Sequence, residues 1–356
     1  MLLLSSPFSA ESAQGQMTAA VISGILYSLF KSVYQVEFAV SRETNFETSS
    51  AAIAESLTAA AAELTTIHDM QRLAVSAMQR AELFFGHGTD NAQTEVLVLM
   101  SHVLQLTFAQ LTQFSQAALS ANERAQIAAL VAERIETRKP AAYLTQQAWF
   151  CGLPFYVDER VLVPRSPIGE LIEQQLAPWL TVQPQKLLDL CTGSGCIAIA
   201  LAYAFEDAEV DALDISPEAL AVAEYNIAEH DLAHRVFPMQ SDLYSAVSGV
   251  KYDAIITNPP YVDAEDMASL PDEFRHEPEL GLAAGDDGLD LVATILREAP
   301  EHLAEHGILI CEVGNSMLAL AEKYPQVPFV WLEFERGGDG VFLLTYRDLV
   351  KYQAEF

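Results

Sequence analysis

The chain has 356 residues, enough for roughly two domains, and its 51% hydrophobic content excludes a disordered, tail-like polymer. Forty-nine acidic residues against nineteen basic ones leave a net charge of −30, which repels a phosphate backbone and argues against duplex nucleic acid as a direct ligand. The same charge favours encounter with a strongly basic protein, or serves solubility alone.

Four cysteines, Cys151, Cys191, Cys196 and Cys311, form no Cys-x-x-Cys pair and have no histidine at zinc spacing. Neither a metal site nor a disulfide framework is indicated, and the thiols are expected to be reduced and packed, as in the cytoplasm. Residues 1–62 read as an N-terminal extension. Its apolar run Ala19–Phe30 is shorter than the roughly 20 residues a spanning helix needs, and no basic residue precedes it as in a signal peptide; a marginal helix is expected there.

Residues 63–140 are expected to form a helical domain. Ile67, Met70, Leu73, Ala74, Ala77, Met78 and Ala81 recur at the spacing of one helix face. A second helix is predicted over Ala92–Leu104, and a third begins at the capping-box pattern Ser120-Ala121-Asn122-Glu123, carrying Ile127, Leu130, Val131 and Ile135 inward. The loop Phe85–Asn91 supplies a cap for the second helix; its His87 reads as structural, with contact to a partner as the alternative. Residues 141–165 read as a β-hairpin connector turning at Gly152, and Ser166-Pro167 as a cap followed by the first position of a helix.

From residue 166 to 356 strands and helices alternate, which predicts an α/β fold with a doubly wound, mostly parallel sheet. Strands are expected at Lys186–Leu190, Glu209–Asp214, Val236–Gln240, Tyr252–Thr257 and Ile308–Val313. Helices start at Cys196, after Ser216-Pro217, and over Leu289–Leu303. The segments Val330–Phe334 and Val341–Thr345 flank a glycine-rich turn, so the sheet ends antiparallel.

Asp189-Leu190-Cys191-Thr192-Gly193-Ser194-Gly195-Cys196 lies at a strand end and opens a helix, where glycines let a ligand approach the backbone. Asp214, about twenty residues on, suits ribose hydroxyls. This much fits a nicotinamide oxidoreductase and a methyltransferase equally. Asp189 before the glycines suits an ammonium or sulfonium ligand rather than a pyrophosphate, and Asp242 after the third strand suits an adenine amino group. The assigned donor-binding set is therefore Asp189, Thr192, Gly193, Gly195, Asp214, Asp242 and Asn258.

Asn258-Pro259-Pro260-Tyr261 follows the fourth strand, stopped there by prolines that give no ladder donor. The Asn258 side-chain oxygen and the Pro259 carbonyl can each accept one hydrogen of a planar NH2 group, Pro260 fixes the exit, and Tyr261 offers a face to stack on it. These four are the assigned catalytic residues.

The ordered series Asp189–Cys196, Asp214, Asp242 and Asn258–Tyr261 resembles the class I (Rossmann-like) methyltransferases acting on amino groups. With the helical N-terminal domain and Val163-Pro164-Arg165 it is similar to protein-glutamine methyltransferases of the HemK type. The stretches Phe85–Asn91, Leu162–Glu170, Tyr261–Asp266, Arg275–Leu282 and Glu312–Ser316 resemble the branch acting on ribosomal large-subunit protein three. The resemblance covers roughly residues 63–350 and implies S-adenosylmethionine as cofactor, the side-chain amide of a glutamine as acceptor, and that basic ribosomal protein as partner. A release-factor glutamine methyltransferase is the sibling reading, and a DNA adenine methyltransferase would use the same tetrapeptide. Arg165 is expected to pair with a cofactor carboxylate or with one of the chain's acids, the second being favoured by their number, and Glu277-Pro278 to form a lid or a helix entry.

Overall fold

Thr66 and Asp69 exchange hydrogen bonds across the first turn of a helix, and Ser120 and Glu123 do the same further on, so two helix starts are fixed locally before any packing. The computed structural model describes residues 49–285 and 287–356; the segment Ala19–Phe30 lies outside the described residues. In chain order the N-terminal helices are α1 (Ser50–Ala61), α2 (Ile67–Arg80), α3 (Ala92–Leu104), α4 (Phe108–Gln113), α5 (Ala121–Thr137) and α6 (Ala141–Thr145). They enclose a core of their own, in which Leu57, Met70, Met78, Leu99, Ile127 and Ile135 are fully buried. Each such side chain contributes about 1.5–3 kcal/mol on burial.

This helical region starts earlier than its periodicity suggests. Helix α1 buries Ile53, Leu57 and Ala61 in that core, although residues 50–62 read as part of an unassigned extension. Its sequence is almost all alanine and short polar residues, which blurs the apolar stripe.

The connector is a short antiparallel hairpin, β1 (Ala148–Phe150) with β2 (Leu153–Phe155), and leads to α7 (Ile168–Glu173). Pro167, not Ser166, is the residue flanking α7; the Ser166 hydroxyl still accepts from the Ile168 N–H at 3.2 Å.

The main sheet contains β3 (Lys186–Leu190), β4 (Glu209–Asp214), β5 (Val236–Gln240), β6 (Tyr252–Thr257), β7 (Leu303–Glu312), β8 (Val330–Trp331) and β9 (Val341–Thr345) in the order β5-β4-β3-β6-β7-β9-β8. The first five in this order run parallel, and β9 is antiparallel to both β7 and β8. Successive residues of the central strands enter different cores: Leu187, Ala254 and Ile256 face one, Leu188, Ile255 and Leu309 the other. Burial on both faces explains why these strands read as continuous apolar runs. Helices α8 (Cys196–Ala204), α9 (Pro217–Glu229), α10 (Ala264–Ser269), α11 (Asp290–His302), α12 (Met317–Lys323) and α13 (Tyr346–Lys351) complete the fold.

The chain leaves β3 toward β4 and β5 on one side, and β6 leads to β7 on the other. The order therefore reverses between β3 and β6, and the carboxyl ends of these two strands flank the crevice where open α/β sheets bind ligands.

Candidate active site

Four strands deliver the site. Leu190, the last residue of β3, is paired with Thr257, the last of β6, and the Thr257 hydroxyl donates to the Leu190 carbonyl at 2.9 Å. The glycine loop and the Asn258 tetrapeptide thus leave the sheet side by side. Asp214 ends β4, and Ser241-Asp242 follows β5. Together they line a cavity of about 750 Å³ that holds Thr192, Gly193, Asp214, Asp242, Asn258, Pro259, Pro260 and Tyr261 on its wall.

On the donor half, Gly193 has φ +54°, and a Cβ built there would meet nothing within 4 Å. The backbone is bare toward the cavity, a cradle that a ligand can approach closely. Asp214 lies beside it. Its Oδ2 accepts the Gly193 N–H at 2.9 Å and its Oδ1 the Ser216 N–H at 2.9 Å, which locks the loop to the end of β4. Burial raises the Asp214 pKa against these two backbone donors. Both oxygens keep acceptor capacity for hydroxyls. Asp242 is exposed at the rim. A bare glycine cradle flanked by two separated carboxylates fits an adenosine ligand carrying a cation.

On the acceptor half, neither the Asn258 side chain nor the Pro259 carbonyl has a hydrogen-bond partner among the described residues. Both residues lie on the cavity wall. Tyr261 is held firmly: its hydroxyl donates to Glu312 Oε1 at 3.0 Å, and its carbonyl accepts from the Ser316 hydroxyl at 2.9 Å.

Two family models match the chain: the methyltransferase small domain over residues 172–276 and the PrmC N-terminal domain over residues 76–145. The ribosomal protein uL3 glutamine methyltransferase of Xanthomonas campestris is 49% identical over 300 residues, 84% of this chain and 97% of the relative. That of Francisella tularensis is 45% identical over 295 residues, 82% of this chain and 94% of the relative. This chain belongs to the uL3 glutamine methyltransferase family. Within the family frame, the methyltransferase model ends inside the segment that roofs the cavity, and the N-terminal model spans the helices that hold that roof.

The roof is the stretch between β6 and α11. Glu273 is buried in it, accepting the Phe84 N–H at 3.0 Å and facing Arg134 at 3.3 Å. Arg134, itself buried on α5, also binds Glu95 at 2.6 Å and the Phe84 carbonyl at 2.9 Å. Four residues on, Glu277 accepts the Val163 N–H at 3.0 Å and two bonds from Arg165, at 2.5 and 2.7 Å. His87 Nε2 sits 3.4 Å from Glu277 Oε2, and its ring packs on Phe274 with centroids 4.4 Å apart. His87 is thus a buried structural residue, and Arg165 pairs with an acid of its own chain while lining the cavity.

Two members of the assigned donor set are not on the cavity wall. Asp189 is fully buried; its Oδ2 accepts from the Thr192 hydroxyl at 2.5 Å and the Ala198 N–H at 3.0 Å, while Oδ1 has no partner. Placed beneath the loop, Asp189 ties Thr192 to the first turn of α8 rather than facing a ligand cation. Burial pushes its pKa up to about 7, against the lowering effect of those two donors. Gly195 faces α9, where a Cβ would come within 3.2 Å of the Ala223 Cβ; its glycine permits helix packing. The four cysteines are free, and burial pushes the Cys151 and Cys196 thiols up to about 12.

Sequence reasoning gave no role to Arg134, Glu95, Glu273 or Glu312. An apolar helix face interrupted by Arg134, and a strand of buried residues ending in Glu312, were the available signals: buried charges need partners.

Proposed function

We propose that this chain transfers a methyl group to the side-chain amide nitrogen of a glutamine in ribosomal protein uL3. The observation that carries the reading is that Asn258 and Pro259, whose side chain and carbonyl have no hydrogen-bond partner among the described residues, share one cavity wall with a bare glycine cradle. The names of the relatives supply the substrate.

S-adenosylmethionine, when bound, supplies an electrophilic methyl group, and Thr192, Gly193, Asp214 and Asp242 are the residues that would hold it. Asp189 acts one step removed, through Thr192 and α8. A carboxamide nitrogen is a poor nucleophile because its lone pair is delocalised. Asn258 and Pro259 each accept one of its hydrogens, which turns the remaining face toward the donor, and Tyr261 packs on the amide plane. Transfer would leave the donor sulfur as a neutral thioether and the nitrogen as an N-protonated, cationic amide, which is acidic enough to lose its proton to water, so positioning and electrostatics are the main contributions.

The net charge of −30 supports a basic protein, not a duplex, as partner, and the helices over residues 63–140 are the region suited to recognising it. Among the described residues no helix is long and apolar enough to cross a membrane, and the cytoplasm is the compartment that fits a modifier of new ribosomal protein. Incubation with methyl-labelled S-adenosylmethionine and purified uL3, followed by mass spectrometry, is expected to place the label on one glutamine amide. Unlabelled uL3, or label on another residue type, would sink the reading.

A further inference from the structure

Tyr261 is held from three directions. Its phenol donates to Glu312 at the end of β7; its ring lies against Gly314, where a Cβ would come within 2.5 Å of a ring carbon; its carbonyl takes the Ser316 hydroxyl. Glu312 in turn is 5% exposed and uses both oxygens, one for Tyr261 and the other for the Ser166 hydroxyl at 2.5 Å. A buried carboxylate is costly, and an apolar residue would end β7 at lower cost. The rotation of a tyrosine ring about χ2 is a broad well, so packing alone leaves its plane loosely set. The hydroxyl oxygen lies on the χ2 axis, so a charge-assisted bond there pins the far end of the ring and acts on its plane through the preference of a phenolic O–H to lie in that plane.

We propose that Glu312 is a positioning residue for methyl transfer: it fixes the Tyr261 ring at the angle at which that ring receives the substrate carboxamide, with Ser166, just ahead of α7, bracing the carboxylate. The proposal rests on the glutamine-methylation reading above. Glu312 reaches the same cavity wall, and its part in the transfer is played through Tyr261.

Both hydroxyls donate to Glu312 together only while it is ionised. Burial raises its pKa above the usual carboxylate range; the Ser166 and Tyr261 hydroxyls lower it, and Arg165 is the charged group that faces it. The ionised form therefore prevails above that raised pKa and is lost as the pH falls through it. Turnover should show an acid limb that Glu312→Gln lacks.

The test measures kcat for methyl transfer to uL3 across pH, and S-adenosylhomocysteine affinity by calorimetry, in wild type, Glu312→Gln, Tyr261→Phe and the double variant. Each single change is expected to lower kcat about tenfold, the loss of one hydrogen bond. The double variant should be no slower than the slower single, and affinity should stay unchanged. Ser166→Ala is expected to lower kcat in the same direction by less. Wild-type kcat in Glu312→Gln, or additive losses in the double variant, would overturn the proposal. A crystal structure of Glu312→Gln gives a readout free of turnover: the Tyr261 ring should be displaced from its place against Gly314, and an unmoved ring overturns the proposal too. A wild-type enzyme that methylates no glutamine would instead defeat the reading on which it rests, with the ring position still decided by the crystal.

Discussion

Arg165 and Glu277 meet through two hydrogen bonds, 2.5 and 2.7 Å long, across 112 residues of chain. The Glu277 side chain is fully buried, and the same carboxylate also accepts the Val163 N–H. Connector and roof are joined at this point, at the wall of the cavity.

Glu277→Ala leaves the Arg165 guanidinium and the Val163 N–H without their acceptor, and is expected to cost about 2 kcal/mol at neutral pH. Burial alone would raise the Glu277 pKa, but Arg165 and then His87 outweigh it and hold the group at about 2. A depressed carboxylate stabilises the fold above its unfolded value, near 4.3, and loses that contribution as pH falls toward 2. Urea unfolding over this window should show wild type and variant converging; a gap that stays constant would rule out the ion pair as its source.

Asn258→Ala removes one of the two free acceptors while leaving the glycine loop intact. Turnover is expected to fall on the order of 10²-fold or more, as misplacement of a reacting group does. Donor affinity, measured by calorimetry, should change much less. Unimpaired kcat would strip Asn258 of its role.

Asp214→Ala should act the other way round. It removes acceptors for donor hydroxyls and frees the Gly193 and Ser216 N–H groups that define the loop. Affinity for S-adenosylhomocysteine is expected to weaken by roughly 10–100-fold, the worth of hydrogen bonds to a charged group. A normal dissociation constant would take Asp214 out of the pocket.

Asp189 carries a sign opposite to that of Glu277. Its folded pKa is raised to about 7, so ionisation destabilises the fold progressively as pH rises from the unfolded value near 3.9 through 7. Asp189→Asn is therefore expected to gain thermal stability relative to wild type at pH 8, the advantage shrinking toward pH 5. A pH-independent difference in melting temperature would contradict a charged, desolvated Asp189.

The layout of the cavity wall was legible because Thr192, Gly193, Asp214, Asp242 and Asn258 each end or follow a strand, where the change from an apolar run to turn residues marks the boundary. Capping residues were equally plain, since the Ser120–Glu123 box is a local interaction. What stayed hidden depends on contacts distant in sequence. Nothing near Asp189 announces that it turns under the loop, and nothing near Glu273 announces Arg134, 139 residues away. The alanine-rich α1 shows a different failure, in which small side chains pack well yet leave a faint pattern.

Glu273 and Glu277 sit one short turn apart on the roof, the first clamped by the helical bundle, the second by the connector. Exchange of the N-terminal helices alone would leave Glu273 facing a foreign surface, with its charge stranded. An exchanged bundle must then bring residues 272–282 with it, and a chimaera that ignores this should lose its hold on the roof of the cavity.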